Sequence, residues 1–81
     1  MNDAELVARI SELAEEEHAL ERSHVGPGSL DDADAARMRE LEVALDQCWD
    51  LLRQRRARRK QGLDPDEAQV RPESTVEGYQ Q

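Results

Sequence analysis

The residues most able to do chemistry in this chain form a run of six bases within eight positions. They are Arg53, Arg55, Arg56, Arg58, Arg59 and Lys60. Because Arg and Lys neutralise phosphates without reading bases, one interpretation is a small nucleic-acid-associated protein. The alternatives are that the cations complement the dipole at a helix C-terminus, or that they pair with acids of a second chain. Such acids occur at Glu15, Glu16, Glu17 and Glu21. We favour these alternatives, since no aromatic residue interrupts the run and the net charge of −8 repels phosphate.

A second candidate site is the pair Glu15 and His18. Its Glu-x-x-His spacing is that of metal ligands in ferritin-like di-iron bundles. Leu13 and Leu20 define the inward face of this segment, so both candidate ligands are expected to point mostly outward. A solvated acidic face is the favoured interpretation, with a metal-binding helical bundle as a further alternative. We expect no cofactor.

Catalysis by the single cysteine is not expected. A catalytic thiol needs a nearby base, and His18 and His24 are both expected at the far end of the fold from Cys48. The favoured role of Cys48 is that of a small buried hydrophobic residue, and a disulfide across a dimer axis stays an alternative. The sequence contains no Gly-rich phosphate loop and no Cys-x-x-Cys pair. A two-helix protein also offers little concavity. We therefore expect a non-enzyme.

The elements that must position these residues are two helices. Ala, Leu, Glu, Arg and Gln dominate the composition, which favours helix over strand. Apolar residues recur at helical spacing in two rows. The first row is Leu6, Ile10, Leu13 and Leu20, and the second is Met38, Leu41, Leu45, Cys48 and Leu52. The spacing predicts an all-α hairpin over 1–63, with helices at about 3–23 and 30–61 joined by a turn at 24–28.

Local signals mark the ends of both helices. Asn2 followed by Glu5 is a capping-box-like start. Ser29 is a candidate N-cap for the second helix. Gly62 provides a residue that tolerates positive φ, with Leu63 placed for a Schellman-type end. The second helix is therefore the longer one.

This difference in length predicts an interface. If Leu6 lies near Leu45, the first helix ends close to Trp49 and leaves the end of the second helix bare. The bare group would be Trp49, Leu51 and Leu52, with Cys48 beside it. Exposed apolar clusters of this kind need a cover. The tail could supply it, but we favour a second copy, giving a homodimer built as a four-helix bundle or coiled coil.

Residues 64–81 are predicted to form an extended or mobile acidic tail. Two prolines interrupt it, and five acids face one base over 63–81. Its anchors for an unknown protein partner would be Val70, Pro72, Val76 and Tyr79. The function expected is that of a helical interaction or adaptor protein that self-associates and binds a partner.

The compartment expected is the cytoplasm. One unpaired cysteine suits a reducing environment. The first residues are polar and acidic, unlike a signal peptide, and no apolar run approaches the roughly 20 residues that span a bilayer. We expect no membrane partner.

Several segments resemble a family of small actinobacterial proteins of unknown function. They are 41–57 (LEVALDQCWDLLRQRRA), 62–68 (GLDPDEA), 70–79 (VRPESTVEGY) and the EEEHAL of 15–20. The resemblance covers nearly the whole chain, and the tail is its most specific part. It implies a free-standing cytosolic protein and provides no activity, cofactor or catalytic residue.

Overall fold

The computed structural model describes residues 1–22, 31–74 and 76. Helix α1 spans Asp3–Arg22, helix α2 spans Asp32–Lys60, and a short 3-10 turn spans Pro65–Glu67. No strand occurs in the described residues. The prediction of an all-α pair of packed helices, the second longer, is confirmed. The turn predicted at 24–28, with His24, and the Ser29 cap lie outside the described residues.

The helix ends follow the local chemistry of the sequence. The Asn2 side chain accepts a bond from the Glu5 backbone N–H at 2.8 Å, and Glu5 accepts one from the Asn2 N–H at 3.0 Å. This is a complete capping box. Helix α2 takes its N-cap from Asp31, whose carboxylate accepts from the Asp34 N–H at 2.8 Å. The helix therefore begins about two residues later than predicted.

The C-terminus of α2 is a Schellman motif. The Leu63 N–H bonds the Arg58 carbonyl at 2.8 Å, and the Gly62 N–H bonds the Arg59 carbonyl at 3.2 Å. Gly62 has φ +74, a left-handed conformation that glycine adopts without strain. This end directs the chain back toward α2, so the tail begins in contact with the helix that it follows.

The apolar core lies between the two helices. Leu6 and Ile10 of α1 form one buried cluster with Leu52 of α2, and Leu45, Cys48 and Leu51 pack around it. Leu13 and Leu41 are also buried. The core is small, which is expected for a chain of this length.

The predicted alignment of the two helices is wrong. Asp3, at the first turn of α1, bonds Arg55 and Arg59, well beyond the position near Trp49 where α1 was expected to end. Leu52 is only 1% exposed as a result. The physical reason is that the apolar row of α2 repeats every three or four residues, so several alignments bury a similar face. The charges at the helix ends distinguish between them.

The tail lies along α2 in the reverse direction. Asp66 contacts Arg55, Gln69 contacts Gln54, and Glu73 contacts Arg39, so tail positions rise as helix positions fall. Val76 is 1% exposed. The described part of the tail is therefore folded onto the hairpin. The tail thus covers the side of α2 that carries Arg39, Gln54 and Arg55.

Within the described ranges, no helix combines the length and the apolarity that crossing a membrane requires.

Gly62→Ala should lower the free energy of unfolding by about 1 kcal/mol, because an L side chain disfavours the left-handed region. No atom lies within 4 Å of the position that a Cβ would occupy, so the cost is backbone strain and not a clash. Chemical denaturation of the purified protein measures this difference. Gly62→Asn is the matched control and should cost less, since Asn tolerates positive φ. An alanine variant as stable as the parent would contradict the assignment.

Candidate functional site

Helix α2 presents three rows of side chains, each repeating every three or four residues and each facing a different surface. The core stripe faces α1 and comprises Leu41, Leu45, Cys48, Leu52, Arg55 and Arg59. The tail stripe faces the returning tail and comprises Arg39, Val43, Gln47, Asp50, Gln54 and Arg58. The outer stripe comprises Glu42, Asp46, Trp49, Arg53, Arg56 and Lys60.

The tail stripe holds the tail through a buried carboxylate. The Asp50 side chain is 0% exposed. It accepts two bonds from the Arg71 guanidinium, one of them from Nε at 2.9 Å, and a third from Gln54 Nε2 at 2.9 Å. The hydrogen bonds from Arg71 lower the pKa of the Asp50 carboxyl against the opposing effect of burial. Asp50 is therefore held as a charged anchor for the tail.

Two glutamines extend this anchor to the tail backbone. Gln54 Nε2 donates to the Gln69 carbonyl at 2.8 Å, and Gln47 Nε2 donates to the Arg71 carbonyl at 3.3 Å. Such bonds satisfy carbonyls of a segment that has no regular secondary structure. Our sequence reasoning missed the whole anchor. The available signal was Asp50 itself, an acid set between Trp49 and Leu51, where the helix is otherwise apolar.

The basic run is largely neutralised by acids of its own chain. Arg55 donates from Nε to Asp3 at 2.6 Å and from Nη1 to Asp66 at 2.9 Å, and Arg59 also binds Asp3. These contacts raise the pKa of Arg55, and the hydrogen bond from Arg55 is the main cause that lowers the pKa of Asp3. Arg58 binds Glu67 at 2.7 Å. Pairing with acid is thus observed, but the acids belong to the first turn of α1 and to the tail.

The acids proposed as partners in a second chain are placed elsewhere. Glu16 binds Arg37 of the same chain, and this hydrogen bond lowers the Glu16 pKa. Glu15 and Glu21 are exposed, while Glu17 is half-buried. None of these four meets the basic run in one copy.

The remaining bases lie on the outer stripe. Arg53 is half-exposed, and its Nη2 lies 3.9 Å from Oδ1 of Asp50, a distance longer than a hydrogen bond. Arg56 and Lys60 are exposed, and their side chains form no hydrogen bond or ion pair in the described part of the chain. The basic run therefore has an internally paired side and an open side.

An apolar groove lies between the core stripe and the tail stripe of α2. It has a volume of about 300 Å³. Helix α1, helix α2 and the tail all contribute to it, and its lining residues are Met1, Leu6, Arg9, Leu13, Ala44, Gln47, Cys48, Leu51 and Val70. Met1 and Val70 on its rim are 65% and 61% exposed. The returning tail contributes Val70 to the groove, and the sequence alone did not indicate the groove.

The predicted interface residues are divided between these surfaces. Trp49 is 45% exposed on the outer stripe, although α1 does not end near it as predicted and extends past it to Arg55 and Arg59. Leu51 and Cys48 are half-buried and line the groove. Leu52 is in the core, so its expected exposure is wrong, because α1 extends over it. Burial raises the pKa of the Cys48 thiol.

The predicted tail anchors are divided as well. Val70 and Pro72 are exposed. Val76 is buried within the chain, so it is not free to contact a partner as predicted, because the tail folds back on α2. Tyr79 lies outside the described residues.

The predicted metal ligands do not converge. Glu15 and His18 are both exposed on α1, and His18 Nδ1 lies 3.6 Å from a Glu21 oxygen. Among the residues that the structure describes, no group of three or more His, Cys, Asp or Glu side chains is placed to hold a metal ion.

The fold and these surfaces define a small all-α protein, a helical hairpin with a tail anchored along its second helix. The chain belongs to the family described as a protein of unknown function (DUF2630), whose model matches residues 2–81. Uncharacterized proteins of Mycobacterium bovis and Mycobacterium tuberculosis are each 49% identical to it over 77 residues, covering 95% of this chain and 88% of the relative. The actinobacterial resemblance is thereby confirmed. No solved structure matches the chain.

Arg71→Gln should lower the free energy of unfolding by about 2 to 3 kcal/mol at neutral pH. Removing one member of a buried ion pair leaves the other charge uncompensated, and we reduce the magnitude because the Arg71 side chain is 36% exposed. Asp50→Asn should cost less, since the released guanidinium can turn toward water. Urea denaturation of both variants measures the difference, and equal costs would contradict a buried charged Asp50.

The Arg71→Gln effect should also depend on pH. A carboxyl whose pKa is lowered by folding stabilises the fold fully above its ordinary pKa, and this contribution is lost as the pH falls through the lowered value. The difference in stability between the parent and Arg71→Gln should therefore be constant above about pH 5 and shrink in more acidic solution. The Asp50→Asn variant is the control, because it lacks the titrating group.

Proposed function

We propose that this protein is a non-enzymatic helical interaction protein that binds a protein partner in its apolar groove and self-associates. The observation that carries the proposal is the groove between α1, α2 and the tail. A concave surface lined mainly by aliphatic side chains can receive the apolar side chains of a partner. Here that surface is built at some cost in folding, since a buried ion pair holds the tail that forms one wall.

The groove suits the apolar face of an amphipathic helix. Its lining is mostly aliphatic, with the polar groups of Arg9 and Gln47 among it. Its volume lies at the lower limit of pockets that enclose small-molecule ligands. Two antiparallel helices with a raised wall accept a third helix through anchors three and four residues apart. The partner proposed is therefore a protein segment of this kind.

The non-enzymatic part of the proposal is supported by the chemistry of the groove. Its one nucleophile is Cys48, and burial raises the pKa of that thiol. A raised pKa keeps the thiol protonated and poorly nucleophilic. We also propose a cytoplasmic location, because a reducing compartment keeps a lone thiol unpaired.

The groove can be tested with two exposed valines. Val70→Asp places a carboxylate on the groove rim and should weaken partner binding about tenfold or more, because a charge disfavours contact with apolar side chains. Val7→Asp is the matched control, since Val7 is 48% exposed on α1 and does not line the groove. Both proteins are used as bait in actinobacterial extract, and the affinity of each captured protein is then measured after purification.

A partner retained by the parent and by Val7→Asp, but lost with Val70→Asp, supports the proposal. Partners that bind all three proteins equally would reject the groove as the binding site. Point variants are preferred to removal of the tail, because truncation after Leu63 would also remove the anchor on Asp50 and the buried Val76.

A second candidate function is binding to nucleic acid through the open side of the basic run. The supporting observation is that Arg56 and Lys60 are exposed and have no side-chain partner within the described residues. It ranks second, because Arg55, Arg58 and Arg59 are neutralised within the fold. Electrophoretic shift at low salt should show binding that weakens in Arg56→Gln/Lys60→Gln and with added salt. No shift at low salt would remove this candidate.

A further inference from the structure

The outer stripe of α2 orders its charges in two blocks around an exposed tryptophan. Glu42 and Asp46 precede Trp49, and Arg53 and Arg56 follow it. The stripe, extended by Lys60, advances by four, three, four, three and four residues. This is the spacing by which one helix faces another in a coiled coil. The stripe therefore has the spacing of a helix–helix contact, and α1 and the tail pack against other faces of α2.

The charge order is unfavourable in a single copy. Glu42 and Asp46 are four residues apart, and Arg53 and Arg56 are three apart, so like charges are neighbours on the helix surface. In the described ranges, the side chains of Glu42, Asp46 and Arg56 form no hydrogen bond or ion pair. The core and tail stripes differ, because their arginines are bound by acids of α1 and the tail. On the outer stripe, by contrast, the acidic block has no partner in the described ranges, and the basic block has only the 3.9 Å contact of Arg53 with Asp50.

A second copy placed antiparallel would match both blocks at once. With Trp49 opposite Trp49 of the partner subunit, residues equally far before and after that position face each other. Glu42, seven residues before, then faces Arg56 of the partner subunit, seven residues after. Asp46, three before, comes within one position of facing Arg53 of the partner subunit, four after. The two-fold axis generates each of these pairs twice, so the same surface of both copies forms the contact and the assembly ends at a dimer.

We infer that the outer stripe is the surface through which two copies of this chain associate, antiparallel and with Trp49 at the two-fold axis. The inference deepens the proposed self-association and rests on it. A parallel pairing is excluded by charge, since it sets each block beside its own kind. Association removes Trp49 from water and brings Arg53 of the partner subunit near the indole face, where a guanidinium is stabilised. Because the ion pairs lie at a surface, the association weakens with salt.

Charge reversal tests the pairing in the full-length chain. Glu42→Arg and Arg56→Glu each place like charges across the axis, and each should raise the dimer dissociation constant at least tenfold. The double variant Glu42→Arg/Arg56→Glu exchanges the two blocks and should restore association. Sedimentation velocity at low and at high salt measures all four proteins. Circular dichroism confirms that each variant keeps the helical content of the parent.

Mixing the two single variants provides a second, independent readout. A Glu42→Arg copy carries bases at both positions, and an Arg56→Glu copy carries acids at both. The mixture should form heterodimers more tightly than either single variant associates with itself. A change that merely damaged the fold would not produce this recovery.

The single tryptophan reports on the axis directly. Its fluorescence should shift to shorter wavelength, and its quenching by acrylamide should fall, as the parent protein is concentrated. Glu15→Arg, an exposed charge reversal on α1, is the matched control and should associate like the parent.

Three outcomes would overturn the inference. A parent dimer that Glu42→Arg leaves intact would reject this interface while leaving self-association through another face. A dimer weakened equally by Glu15→Arg would place the contact on the acidic side of α1. A parent protein that stays monomeric at low salt and high concentration would reject both the interface and the proposed self-association, while the groove is judged separately by the Val70 variant.

Discussion

Arg55 is the point at which the three parts of this chain meet. Its guanidinium projects from α2, binds Asp3 at the start of α1, and binds both the Asp66 carboxylate and the Pro65 carbonyl of the tail. The side chain is only 7% exposed. A charge removed from water to this extent is tolerated only when each of its donors is satisfied. The position of α1 along α2 and the path of the tail are therefore coupled through one residue.

This dependence on charge follows from the composition. An 81-residue chain without phenylalanine has little apolar side-chain volume to bury, and short chains bury a small fraction of their surface. The core contains six buried apolar residues in the described part of the chain. Ion pairs contribute specificity where such a core cannot, because each alignment of the helices pairs a different set of charges.

Helix α2 organises the whole molecule because its faces serve different surfaces. One face packs on α1, one binds the tail, and the face between them contributes to the apolar groove. The helix can do this because side chains at three- and four-residue spacing form separate rows along its length. The proposed functions use the two surfaces of α2 that are covered neither by α1 nor by the tail. The groove offers apolar surface that the tail partly encloses, and the outer stripe offers ordered charges around Trp49.

Much of the fold follows from the sequence alone. The two apolar rows determine that α1 and α2 form and pack as a hairpin, and the Asn2–Glu5 and Gly62 signals determine where helices begin or end, because these effects act within a few residues. These are local properties, and neighbouring residues are sufficient to define them.

The alignment of the helices, the path of the tail and the groove were decided only by tertiary structure. Leu52 was expected to be bare and is buried, because Asp3 is held by Arg55 and Arg59 from more than 50 positions away. Val76 was expected to contact a partner and is buried, because Arg71 anchors the tail on Asp50. A periodic apolar row fits several alignments almost equally well. The choice among them depends on charges that are distant in sequence, and no local pattern records which of those charges will meet.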